Sequence, residues 1–101
     1  MRDALREAVL AIGGRLGSVV FHHEKAWSSA TFSGVRHTLR IEFDGPAAVA
    51  CGERLIDALA EHEFNIPGQL VADAGVDHVE HRLKGNPRMV VTVSLLLMEE
   101  D

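Results

Sequence analysis

The run Met89 to Met98, MVVTVSLLLM, is the longest apolar stretch of the chain and leaves it few folds to choose from. Val90, Val91, Thr92 and Val93 are β-branched, stiff at the first side-chain torsion and suited to an extended backbone. Pro87 stands just before the run, where a missing N–H costs a strand ladder least. Met89, Val91, Val93, Leu95 and Leu97 share one parity and make a wholly apolar face. Val90, Thr92, Ser94, Leu96 and Met98 share the other and make a mixed one. At the edge of a sheet such a strand would template aggregation. Arg88 before it and Glu99, Glu100 and Asp101 after it stand where gatekeeper charges belong. The run is therefore predicted to be an interior strand, its first face against helices and its second partly open.

A chain of 101 residues holds one domain, 1–101, and its 47% hydrophobic and 25% charged content is that of a globular protein. No segment approaches the roughly 18 apolar residues of a membrane span. The opening MRDALREAVLAIGG alternates acids, bases and apolar residues as an amphipathic helix does, unlike the apolar core of a signal peptide. One cysteine, Cys51, excludes an internal disulfide, and with these features predicts a cytoplasmic protein. The net charge of −5 is unevenly spread: residues 1–40 carry six Lys/Arg against three Asp/Glu, and residues 41–101 four against twelve. An acidic whole without a basic cluster argues against nucleic acid, whose binding depends on neutralising phosphates.

Leu5, Ala8, Val9 and Ile12 recur at helical spacing over residues 2–13, and Gly13-Gly14 stops that helix. Leu16–His22 and Trp27–Ser33 read as two short strands joined by His23-Glu24-Lys25, or as one bent strand; Gly34 marks a turn or bulge. Val35 to Phe43 alternates cleanly, with Val35, His37, Leu39, Ile41 and Phe43 on a buried face and Arg36, Thr38, Arg40 and Glu42 on a wet one. Asp44-Gly45-Pro46 opens a second helix running to about Glu63, with Val49, Leu55, Ile56 and Leu59 as its apolar stripe. Gly52 inside that helix implies close packing on a strand. Ile66-Pro67-Gly68 turns the chain into an extended segment from Gln69 to about Leu83. Its apolar parity switches after Leu70, Ala72, Ala74 and Val76, which places a bulge at Gly75.

The order α-β-β-(β)-α-β-β predicts an α+β two-layer sandwich: a mostly antiparallel sheet of four to five strands with two helices on one face. With the first two strands merged, this is the ferredoxin-like arrangement with its first strand moved to the end, an analogy of fold that carries no function.

Chemistry-bearing residues are sparse. Of the six histidines, His22/His23 and His78/His81 lie on strands at spacings that send their rings apart, and neither HExxH nor CxxC occurs. The sharpest metal candidate joins His62 and Glu63, at the end of the second helix, with Asp73 across the Ile66-Pro67-Gly68 turn. With an open position that set would bind zinc and activate water, as a small metal-binding or hydrolase-like domain does. A simpler explanation puts His62 against a helix dipole and the two carboxylates at the surface. No other cofactor is predicted. His37 reads as a core histidine with one hydrogen-bond partner, Cys51 as a small buried hydrophobe, and Gly13 to Gly17 as a cap and turn following a helix, without the geometry of a phosphate loop.

Trp27, Arg36 and Arg40 on the wet face of the sheet form a candidate for a small anionic ligand or a partner's acidic patch. Val90, Leu96 and Met98 share that face, and apolar groups there call for a cover. The expectation is a small non-catalytic binding or interaction protein, a homodimer through the open sheet face or a strand edge.

Overall fold

In the computed structural model, which describes residues 2–99, the elements follow the order α-β-β-α-β-β. Helix α1 spans Arg2–Gly13, strand β1 Ser18–Ser28, β2 Ser33–Asp44, α2 Pro46–Ala58, β3 Gln69–Arg82 and β4 Arg88–Glu99; a single 3-10 turn, Leu59–Glu61, extends α2. All strand pairs are antiparallel and the sheet order is β1-β2-β4-β3. The Met89–Met98 run is thus interior, between β2 and β3. Glu100 and Asp101, expected as gatekeepers, lie outside the described residues.

Residues directly opposite in an antiparallel pair share a face, so the register defines both sides of the sheet. One side carries Leu39, Ile41 and Phe43 of β2 with Met89, Val91, Val93, Leu95 and Leu97 of β4, all buried. Leu5 and Val9 of α1 and Val49, Cys51 and Leu55 of α2 close on them to complete one core. Gly52 lies where a helix must touch a strand: a Cβ there would sit 2.7 Å from Met89 Sδ and 2.9 Å from a Phe43 ring carbon. Gly13 plays the same part between the helices, because its missing Cβ makes room for the Cys51 carbonyl oxygen. Helix α2 starts at Pro46 without a side-chain cap; Asp44 accepts a hydrogen bond from Asn86 instead.

Three expectations are corrected. The first two strands are one: His23, Glu24 and Lys25 belong to β1, and the turn lies at residues 29–32. Gly34 is neither turn nor bulge but a strand residue opposite Trp27, where a Cβ would press on the Leu97 carbonyl oxygen. The β3 ladder shifts register twice, between Val71 and Asp73 and between Val76 and His78, so the extra residues are Ala72 and Asp77 and not Gly75. Their effect is to point Val71, Ala74, Val76 and Val79 toward the helices and to send Leu70 to the opposite side. A third bulge, between Val19 and Phe21, lets Val19 face the helices, while Phe21 keeps the parity of His23, Lys25 and Trp27 on the opposite side.

Candidate functional site

The side of the sheet away from the helices carries no element of the described chain. Its residues fall into rows across β1, β2, β4 and β3. At the end of the sheet near the 29–32 turn the row is Trp27, Gly34, Met98 and Leu70, apolar throughout. The next row reads Lys25, Arg36, Leu96 and Asp73, two cations on one half of the sheet and an acid on the other. His23, Thr38, Ser94 and Gly75 follow; the bulged Asp77 accepts a hydrogen bond from the Ser94 hydroxyl. Phe21, Arg40, Thr92 and His78 come next, with the Arg40 guanidinium 5.2 Å above the Phe21 ring. Beyond them Glu42 pairs with Arg88 at 2.6 Å, and the far end holds Asp44, Arg88 and Arg82.

The expected face residues are therefore found on one surface, with two changes. The aromatic ring under Arg40 belongs to Phe21, not to Trp27, which lies beyond Arg36 in the apolar end row. Leu96 is only 7% exposed, whereas Leu70 is 49% exposed; Val90, Met98 and Trp27 are intermediate. A charge at Leu96 would disturb the fold as well as any interface, so Leu70 is the better probe. His23 and Lys25 are hidden in the sequence because His23-Glu24-Lys25 reads as a polar connector that also cuts Phe21 off from Trp27, and Leu70 because the bulge at Ala72 carries no sequence mark.

On the helix side one polar chain enters the core. The Arg6 Nε–H donates to His22 Nδ1 at 2.9 Å, and His22 Nε2 lies 2.8 Å from His37 Nδ1. A guanidinium can only donate, so His22 Nδ1 accepts, its proton sits on Nε2, and His37 Nδ1 accepts in turn. Arg2 pairs with Glu24 beside them. His37, 1% exposed, is the core histidine with a single partner that its place in the alternation predicts. Burial, with the charge of Arg2 and the neighbouring His37 and Arg6, lowers the His22 pKa from the usual 6.5 to about 4; burial lowers that of His37 too, against the pull of Glu24. With His37 neutral, its 3.8 Å approach to Glu24 is not an ion pair. The pair is no metal site while Arg6 holds Nδ1, because a metal on His22 Nε2 would then need a ring stripped of both protons.

Both histidines bind protons less readily folded than unfolded. For His22 the unfolded ring takes up its proton near pH 6.5 and the folded ring only near pH 4, so stability falls as pH drops through this range, and His37 acts in the same direction. The expected result is a denaturation midpoint that declines from pH 7 to 4.5, with a shallower decline in His22→Gln. A His22 ring that titrates near 6.5 by NMR would show the chain of hydrogen bonds to be absent.

His62, Glu63 and Asp73 do line one cavity, of about 370 Å³, beside the edge of β3. They do not converge: no group of three His, Cys, Asp or Glu side chains among the described residues is close enough to hold a metal ion. The His62 ring meets the Phe64 ring edge-on at 4.7 Å, and Asp73 sits on the open side of the sheet opposite Leu96. Cys51 is free and buried. No helix among the described residues is long and apolar enough to cross a membrane.

No protein-family model matches the chain, and no curated protein matches it. The fold is similar to that of a chain in the structure of a virion of a native gene transfer agent (GTA) particle. The TM-score is 0.63 at 16% identity, over 98% of this chain and 91% of that one. At that identity the likeness is one of fold.

Proposed function

We propose that this chain is a non-catalytic assembly module of the cytoplasm that associates with copies of itself, as a homodimer, through the open side of its sheet. The observation that carries this reading is the face itself: an apolar row of Trp27, Met98 and Leu70 bordered by cations on one half and an acid on the other. A solvated sheet face has no use for a half-exposed leucine beside a tryptophan and a methionine, and burial against a second surface removes that area from water. A chain of the same fold in a virion of a gene transfer agent particle supports a structural role, since a particle is built by repeated contacts between chains. The free, buried Cys51 suits a reducing compartment.

Sedimentation velocity on the purified protein tests this. The expected result is a species of twice the chain mass at micromolar concentration, returning to monomer in Leu70→Glu. A wild-type chain that stays monomeric at micromolar concentration would refute the proposal.

A further inference from the structure

We infer that two copies meet face to face about a twofold axis parallel to the strands, so that each copy's Lys25 lies over Asp73 of the other. The inference rests on the self-association proposed above and adds its geometry.

The argument is one of symmetry. A symmetric pair of stacked sheets has its twofold axis in the plane between them, and for aligned packing that axis runs close to the strands or close to the perpendicular across them. An axis along the strands keeps every row at its own level and exchanges its two ends. The β1–β2 half of one copy then covers the β4–β3 half of the other. Trp27 lands on Leu70 of the second copy and Met98 on Gly34, so the apolar row buries itself. Lys25 meets Asp73, and Arg36 lies over Leu96 beside it. At the far end Asp44 faces Arg88 of the second copy.

An axis across the strands reverses the order of the rows. The apolar row would land on the charged row of Asp44, Arg88 and Arg82, and Asp73 would approach Glu80, carboxylate on carboxylate. The apolar row selects the axis along the strands, and the charges add less: across the strands Asp73 meets Glu80, but Arg36 meets Glu42, which Arg88 already holds. Stacked sheets lie about 10 Å apart, within reach of a lysine and an aspartate from opposite sides, and a crossing angle near 30° is absorbed by such long side chains. The twofold axis makes each contact occur twice, which doubles the effect of any substitution in it.

The test is the double variant Trp27→Cys, Leu70→Cys. Within one chain these positions lie at opposite edges of the sheet, three strand spacings or about 14 Å apart, too far for a disulfide. In the inferred dimer they oppose each other across the interface. Sheets about 10 Å apart are also too distant for a direct disulfide, so the pair is bridged with a bis-maleimide whose spacer is about 8 Å, too short for the two positions of one chain; it is expected to give a closed covalent species of two chains with no free engineered thiol. A covalent ladder of three or more chains would mean that β1 and β3 edges pair side by side. That result would overturn the inferred axis while leaving self-association standing. Dimers by sedimentation that form no cross-link would also overturn the axis, and a protein monomeric in both assays would take the proposed function with it.

Charge reversal supplies a second measurement that does not depend on cysteine chemistry. Lys25→Glu and Asp73→Lys are each expected to raise the dimer dissociation constant about tenfold, and the two together to restore it to within about threefold. Additive losses in the double variant would contradict the Lys25–Asp73 contact.

Discussion

Gly13→Ala is expected to lower the stability of the folded chain by about 3 kcal/mol, measured as a shift of the urea midpoint at unchanged slope. The reason lies in how the helices meet. α1 is held over the core by Leu5 and Val9, and its last residue crosses α2 where the Cys51 backbone carbonyl and thiol already fill the space a Cβ would need. Neither obstacle is the far end of a flexible side chain. The helices must separate, and every buried contact of α1 loosens with them. In an open helix interior the same change would stabilise, because alanine is the better helix former. Gly75→Ala is the control: nothing lies within 4 Å of the position, and the effect should stay within about 0.5 kcal/mol. If Gly13→Ala is as harmless as Gly75→Ala, the packing of α1 on α2 is wrong.

His37→Ala is the second large effect, also about 3 kcal/mol, against about 1 kcal/mol for His37→Leu. The imidazole is enclosed between Leu39 and Leu95 on the helix side of the sheet, and alanine leaves its volume empty. Leucine refills most of it and removes only the acceptor for the His22 Nε2–H. That donor belongs to a half-buried ring, which water can reach, so the orphaned group is cheap. A polar network that mattered more than packing would reverse the order, with leucine as costly as alanine. His37→Leu should also flatten part of the decline in stability between pH 6.5 and 4.5, since one of the two protonation-resistant rings is gone.

The sequence showed most of the fold, for a physical reason. Alternation over Val35–Phe43 and over Met89–Met98 is enforced by burial on one side, so two interior strands declared their faces and their neighbours declared the antiparallel sheet. Gly52 was legible because glycine is costly in a helix unless something needs the room, and Met89 and Phe43 need it. The edge strands were less legible. One side of β1 and β3 is lightly buried, so their composition is free to drift, and a bulge moves every later side chain to the other face without changing a residue type. The bulge at Ala72 thus separates Leu70 from the parity it shares in sequence with Ala74 and Val76, and the connector-like His23-Glu24-Lys25 conceals that Phe21 and Lys25 stand beside Arg40 and Arg36. The Arg6–His22–His37 chain was half legible. His37 stood out by its place in the alternation, but its partner and the arginine behind it come from different elements and meet only in the fold. His62, Glu63 and Asp73 are expected to converge across the Ile66-Pro67-Gly68 turn; they line one cavity without converging, since the β3 bulge at Ala72 sets the side of the sheet on which Asp73 stands.

Trp27, the one tryptophan of the chain, lies in the apolar row of the open face and reports on its own burial. The most direct measurement is acrylamide quenching of its fluorescence across the concentration series followed by sedimentation. An assembly module that uses this face shows quenching that weakens, with emission moving to shorter wavelength, in step with the doubling of mass. A mass that doubles while quenching and emission stay constant would mean that the copies meet somewhere else, and the open sheet face would lose its role.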